Sequence, residues 1–158
     1  MVAVGVVVGA VVTSSGSTSD VGPVSAAQPF TLGPVVQGAA AASLAAVPGR
    51  TTLVAFFAAW CEPCKEELPL VEAAAGRPGA PAVVGVDVMD QRPDAADLVR
   101  QAGVTFPAGF DHDGSASAKW GVVGLPVTVL VGADGRIIAY HRGQLSQHGL
   151  DTLLKKAA

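Results

Sequence analysis

The stretch from Leu53 to Pro69, LVAFFAAWCEPCKEELP, constrains this chain more than any other. The apolar, aromatic-containing run from Leu53 to Ala59 reads as a buried strand, and Lys65-Glu66-Glu67-Leu68 continues as helix. Cys61 and Cys64 therefore fall at a strand-to-helix junction, with Cys61 at or just before the helix N-terminus. The unpaired backbone N–H groups and the positive end of the helix dipole at such a point favour a thiolate over a thiol. These are the only two cysteines. A zinc site needs four ligands, and His112, His141 and His148 are scattered without paired spacing, so a metal is not expected. A purely structural disulfide would close a loop of a few residues, where cross-linking gains least. A redox-active pair, needing no other cofactor, is the reading the context favours.

At 158 residues the chain is one domain long and can bury a sizeable core. Its net charge of −3 gives no reason to expect nucleic acid or anionic lipid as a partner. The N-terminus is of another kind. Residues 1–12, MVAVGVVVGAVV, are uncharged and apolar, too short to span a bilayer, which takes about 20 residues. They match a signal-peptide h-region in length, without the basic segment that should precede one. The expectation is a signal or anchor segment, whole or truncated, with a buried Val-rich strand as the alternative. Residues 13–28, rich in Ser, Thr, Gly and Pro, read as a flexible linker, leaving 29–158 as the folded domain.

Along that domain, Phe30-Thr31-Leu32 is a short strand candidate, and nothing in 33–50 carries chemistry. The helix after the cysteines is predicted to reach Ala75 across Pro69. Ala82–Met89 reads as a buried strand, 94–102 as a helix with Pro93 just before it, and 106–110 as a short strand. A short helix through Trp120 follows. Val127–Val131 and Arg136–Arg142 form a hairpin around Gly132-Ala133-Asp134-Gly135. A closing helix spans 146–156, with Ser146 as its N-cap. Strands alternating with helices, then an antiparallel pair and a final helix, make an α/β domain with a central mixed sheet flanked by helices on both faces.

Over about residues 29 to 156 the chain resembles the thioredoxin fold, in its extracytoplasmic TlpA/ResA-like branch. The resemblance rests on Phe30-Thr31-Leu32, on Phe56 to Cys64 (FFAAWCEPC), on Gly124-Leu125-Pro126-Val127-Thr128 and on Gly132 to Ile137 (GADGRI). Pro69 matches the family's helix-kinking proline, and 91–120 matches the extra αβ unit of that branch. Two departures stand out. Cytosolic thioredoxins carry a buried Asp where this chain has Ala55, so a proton relay would use Glu67, which resembles a feature of the ResA-like members. Peroxidase relatives need a Thr where this chain has Ala58, which argues against peroxidase activity.

The resemblance implies a cis peptide between Leu125 and Pro126, facing the cysteines and offering backbone groups to an extended substrate. Cys61, at the exposed helix end, would attack a partner disulfide, and the less exposed Cys64 would resolve the mixed disulfide. Pro63 suits the first helical turn, Glu62 lies within the C-x-x-C loop, and Trp60 would pack as a platform beside it. Glu67 falls on the Cys64 side of the helix, where partial burial would raise its pKa. Glu66 and Glu72 read as solvated acids, and neither Asp87 nor Asp90 is assigned a role. The expectation is an extracytoplasmic, membrane-tethered or secreted protein disulfide reductase, fed by an upstream membrane electron donor. Its substrates would be protein disulfides such as the haem-binding cysteines of apocytochrome c. Two alternatives stay open: an oxidant that installs disulfides in exported proteins, and a copper-handling chaperone, against which the two-residue cysteine spacing speaks.

Overall fold

The computed structural model describes residues 23–46 and 48–157. The apolar segment 1–12 and the first part of the linker, 13–22, lie outside the described residues. Eleven strands and helices follow one another: β1 (Phe30–Leu32), β2 (Ala42–Leu44), β3 (Thr52–Phe57), α1 (Glu62–Ala75), β4 (Ala82–Val88), α2 (Arg92–Gln101), β5 (Ala108–Asp111), α3 (Ser115–Lys119), β6 (Val127–Val131), β7 (Ile137–Arg142) and α4 (Gln147–Leu154). The last runs into a 3₁₀ turn, Lys155–Ala157.

Five strands form the central sheet in the order β5-β4-β3-β6-β7. β3 is its middle strand and is buried along its whole length, which is why its sequence shows no polar alternation. β3, β4 and β5 run parallel, joined by the crossover helices α1 and α2, whereas β6 lies antiparallel to both β3 and β7. The β6–β7 turn is the one its Asp-Gly signal predicts, with Gly135 at φ +83° and its N–H donating to the Gly132 carbonyl.

Two apolar layers cover the sheet. On one face Leu53, Ala55 and Phe57 of β3 meet Leu68 and Val71 of α1, Ala95 and Leu98 of α2, and Leu150 and Leu153 of α4. On the other, Val54, Phe56, Val86 and Val129 pack with Trp120, at the end of α3, and with Leu44 of β2. Helices thus flank both faces, but unevenly. The successive crossovers from β3 to β4 to β5 step in one direction, and right-handed connections then place both helices on the same face. The thinner face is completed by the antiparallel ribbon of β1 and β2, whose Leu32 and Ala42 press against Gly109. Sequence reading assigned no element to 33–50, and β2 was missed because a three-residue strand has no periodicity of its own.

Both edges of the sheet are covered. At β5, the amides of Val35 and Phe110 pair with the carbonyls of Ala108 and Gly33. At the other edge, Ser25 accepts from Ile137 and Ala27 donates to Gly135. The linker expected over 13–28 is therefore too long at its C-terminal end: residues 25–27 are tied to the β6–β7 turn, and Ala27 is buried. A segment that satisfies edge hydrogen bonds while burying a methyl group is held despite its linker-like composition.

Candidate active site

The parallel strands β3, β4 and β5 all end at one edge of the sheet, and antiparallel pairing brings the start of β6 to the same edge, since Phe56 stands opposite Val127. Four loops consequently converge there: 58–61 after β3, 89–91 after β4, 112–114 after β5 and 122–126 before β6. Every residue the sequence singled out, Glu67 included, belongs to this end of the molecule or to the helix that starts in it.

Cys61 is the N-cap of α1, in an extended conformation with no side-chain cap on the first turn, and Pro63 occupies that turn. The uncapped amides and the dipole of α1 are thus directed at the cysteines. Cys61 and Cys64 are joined by a disulfide. The loop is a tight unit: the Cys61 amide donates to Ala58 and the Cys64 amide to Cys61, both at 3.1 Å. Exposure departs from expectation here. Cys61 is only 5% exposed, against 1% for Cys64, so the first cysteine of the oxidised pair lies within the apolar layer rather than out at a free helix end. Glu62 is exposed and pairs with Lys65 at 2.8 Å, which offsets part of its charge beside the cysteines.

Trp60 is 61% exposed, anchored by its indole N–H to the Met89 carbonyl at 3.2 Å. Met89 and Val123, on neighbouring loops, are also exposed. The Leu125–Pro126 peptide is cis. Leu125 packs against both apolar layers, and the Pro126 carbonyl accepts from Gly143 on the far side, at 2.9 Å.

Glu67 is 3% exposed. Helical spacing turns it inward from α1, and its two oxygens accept from the Thr128 hydroxyl at 2.8 Å and the Leu145 amide at 2.6 Å. Burial pushes its pKa above the usual carboxylate range, opposed by those two hydrogen bonds and by His141. Its neighbours on the helix differ. Glu66 stays exposed, bonded to Gln144, whereas Glu72 accepts from both the amide and hydroxyl of Thr105. Glu72 is thus a tie between α1 and the approach to β5 rather than a freely solvated acid.

Two acids that sequence reading left without a role belong to the same site. Asp87, near the end of β4, is fully buried, and neither carboxyl oxygen has a hydrogen-bond donor among the described residues. Burial first, then the charge and proximity of Asp90, push its pKa up to about 8. Asp90 accepts from the Ala59 amide through one oxygen, at 2.5 Å, and from the Gln91 amide through the other, at 2.7 Å. The signal was present: an aspartate inside AVVGVDVM is a charge in a strand buried on both faces, where acids are rare. No group of three or more His, Cys, Asp or Glu among the described residues is arranged to hold a metal ion.

The family model described as Redoxin matches residues 24–154. The thiol:disulfide interchange protein CycY of Rhizobium leguminosarum bv. viciae is 40% identical over 95 residues, covering 60% of this chain and 50% of that protein. The thiol-disulfide oxidoreductase ResA of Bacillus subtilis (strain 168) is 26% identical over 106 residues, covering 66% and 59%. The chain therefore spans roughly half to three fifths of these relatives' length. Among solved structures, MTB dsbF, in mixed oxidised and reduced forms, superposes with a TM-score of 0.68 at 28% identity, covering 81% of this chain and 92% of that one. A secreted Mycobacterium tuberculosis disulfide oxidoreductase, described as homologous to E. coli DsbE, gives 0.69 at 24%, covering 81% and 93%, and so bears on the fold alone.

Proposed function

The chain belongs to the Redoxin family, and from that premise we propose that it is a thiol–disulfide oxidoreductase acting on protein substrates through Cys61 and Cys64. The observation that carries this reading is the disulfide seated on the uncapped N-terminus of α1, at the sheet edge where the Leu125–Pro126 loop also arrives.

In the reductive direction the dithiol form acts first. The Cys61 thiolate, favoured by the helix amides, attacks one sulfur of a partner disulfide, forming a mixed disulfide and expelling the partner's other sulfur as a thiolate. Cys64 then loses its proton and attacks the Cys61 sulfur. The second partner sulfur leaves, and Cys61–Cys64 is oxidised; two electrons pass to the partner, together with two protons. Glu67 is the nearby group suited to exchange the Cys64 proton, because burial raises its pKa towards the working range. Trp60, Met89 and Val123 expose apolar side chains on three of the loops that converge at this end of the sheet, a surface suited to an unfolded or extended polypeptide.

The finer reading is reduction of exported proteins, with apocytochrome c cysteines as the substrate class and a membrane electron donor upstream. Extracytoplasmic placement draws support from the apolar segment 1–12. No helix of the described residues is long and apolar enough to cross a membrane, so a tether would rest on that segment. Trapping tests the chemistry. Cys64→Ser should accumulate mixed disulfides with partner proteins and Cys61→Ser should not; equal trapping by both would overturn the assignment of attacker and resolver.

A further inference from the structure

We propose that Asp87 and Asp90 form a carboxyl pair sharing one proton, which positions the segment leading into Cys61 and adds a second titrating group to the exchange reaction. The proposal rests on the oxidoreductase reading and concerns the side of β3 opposite to Glu67. Glu67 reaches Thr128 on β6, which pairs with β3 at Ala55; Asp87 lies on β4, opposite Phe57.

The geometry leaves few alternatives for Asp87. Its side chain is fully buried, and both oxygens lack a donor among the described residues. An ionised carboxylate there would have nothing to accept from, which is among the costliest arrangements a protein can bury. Asp90 stands three residues on, across the turn at Met89, and its charge and side chain are the strongest neighbouring influence on Asp87. Two ionised carboxylates can only accept, so a proton on Asp87, donated to Asp90, is what reconciles them. Asp90 is itself committed: one oxygen holds the Ala59 amide and the other its neighbour Gln91. Ala59 is two residues from Cys61, whose own amide is bonded to Ala58. The chain of contacts runs from Asp87 through Asp90 to the turn that presents the reactive sulfur. Met89, between the two acids, holds φ +50°, a left-handed conformation unusual for its side chain, as the strand turns back on itself.

The other charges facing Asp87 are Arg92, at the start of α2, and Asp111, at the end of β5. Arg92 donates to the Pro34 and Val35 carbonyls and lies 4.1 Å over the Phe110 ring, so its hydrogen bonds go elsewhere. Asp111 is occupied by the amides of Ala116 and Ser117 and adds a like charge. Near pH 8 the Asp87 proton is lost to solvent, and the hydrogen bond it made to Asp90 goes with it; no covalent bond changes. The new charge repels Asp90, slackens its hold on Ala59 and disfavours a thiolate on Cys61.

The test is a carbon-13 titration of the Asp87 carboxyl in the intact protein, in disulfide and dithiol forms, beside the pH profile of Cys61 alkylation. Asp87 should titrate near pH 8 when the cysteines are oxidised and higher when they are reduced, because coupling between two ionising groups is reciprocal. The wild-type alkylation profile should show an inflection that Asp87→Asn lacks. A coupling of roughly half a pK unit makes the thiolate-to-thiol ratio of Cys61 about threefold higher in the variant than in wild type once Asp87 has ionised, and shifts the upper limb of the alkylation profile by that half unit. Asp90→Asn, which removes the facing charge, should lower the Asp87 midpoint. Titration of Asp87 below pH 5 would overturn the proposal, as would a midpoint indifferent to the cysteine redox state or superimposable alkylation profiles. The carboxyl titration needs no partner protein, so its failure is separable from a failure to exchange disulfides with substrates.

Discussion

Replacing Asp87 with Asn should stabilise this protein at neutral pH, and the gain should fade in acid. In the unfolded chain the carboxyl loses its proton around its ordinary value of 3.8, whereas in the folded protein it keeps the proton until about 8. Between those values the folded state binds more protons than the unfolded one. Stability therefore falls as pH rises through that window, by about 1.4 kcal/mol per pH unit for a single group. Asn cannot titrate, so this slope is absent from the variant. Any difference in packing between Asn and a protonated Asp is constant with pH and cancels when two pH values are compared. From pH 5 to pH 7 the stability difference between variant and wild type should widen, in the variant's favour, by about 3 kcal/mol. Glu67, also raised by burial, contributes a slope of the same sign to both proteins and drops out of the comparison. Urea titrations of the oxidised proteins would read this as a separation of midpoints growing by about 1–3 M, for a slope of roughly 1–3 kcal/mol/M. Parallel stability curves across that range would show that Asp87 is ionised in the folded protein and that the unpartnered burial argument is wrong.

Thr128→Val removes the hydroxyl that donates to Glu67, one of the contacts that lower its pKa, so the Glu67 titration should move further up. The carboxyl carbon-13 signal would report that shift, and an unmoved midpoint would count against it. Gly109→Ala would place a methyl group 2.6 Å from the Leu32 Cβ and 2.9 Å from the Ala42 Cβ, levering the β1–β2 ribbon from the sheet. Urea denaturation should show a loss of about 1–3 kcal/mol, the usual cost of overpacking. The Cys61–Cys64 couple should lie nearer the roughly −270 mV of thioredoxin than the roughly −120 mV of a strong periplasmic oxidant. Glu62, Glu66 and the buried Glu67 surround the pair with more acid than base, disfavouring the thiolate that stabilises an oxidant's reduced form, even with Lys65 paired to Glu62. Equilibration against a dithiothreitol series would measure it, and a value at the oxidant end would favour disulfide donation instead.

The sequence by itself determined the parts whose causes lie within a few residues of one another. A seven-residue apolar run needs burial on both faces, so β3 was legible as a buried strand. The C-x-x-C after it sits on the helix start because Pro63 and the acidic residues that follow permit nothing else there, and Asp-Gly closes β6 to β7. Ser146 reads as an N-cap for the same local reason, and its hydroxyl does accept from Gly149. Even the inward turn of Glu67 follows from helical spacing relative to Cys64. Only the tertiary structure decided what those residues meet. Thr128 and Leu145, which hold Glu67, are 61 and 78 residues away from it, and Asp90 reaches Ala59 across 31. The pairing of β1 with β2, the docking of residues 25–27 on the far hairpin, and the enclosure of Cys61 all depend on which surfaces the folded sheet leaves open. Asp87 marks the boundary most clearly. Its strand was predicted, but its proton depends on a neighbour brought back by the turn at Met89 and on the absence of any donor around it among the described residues. That environment is a property of packing, and no local pattern encodes it.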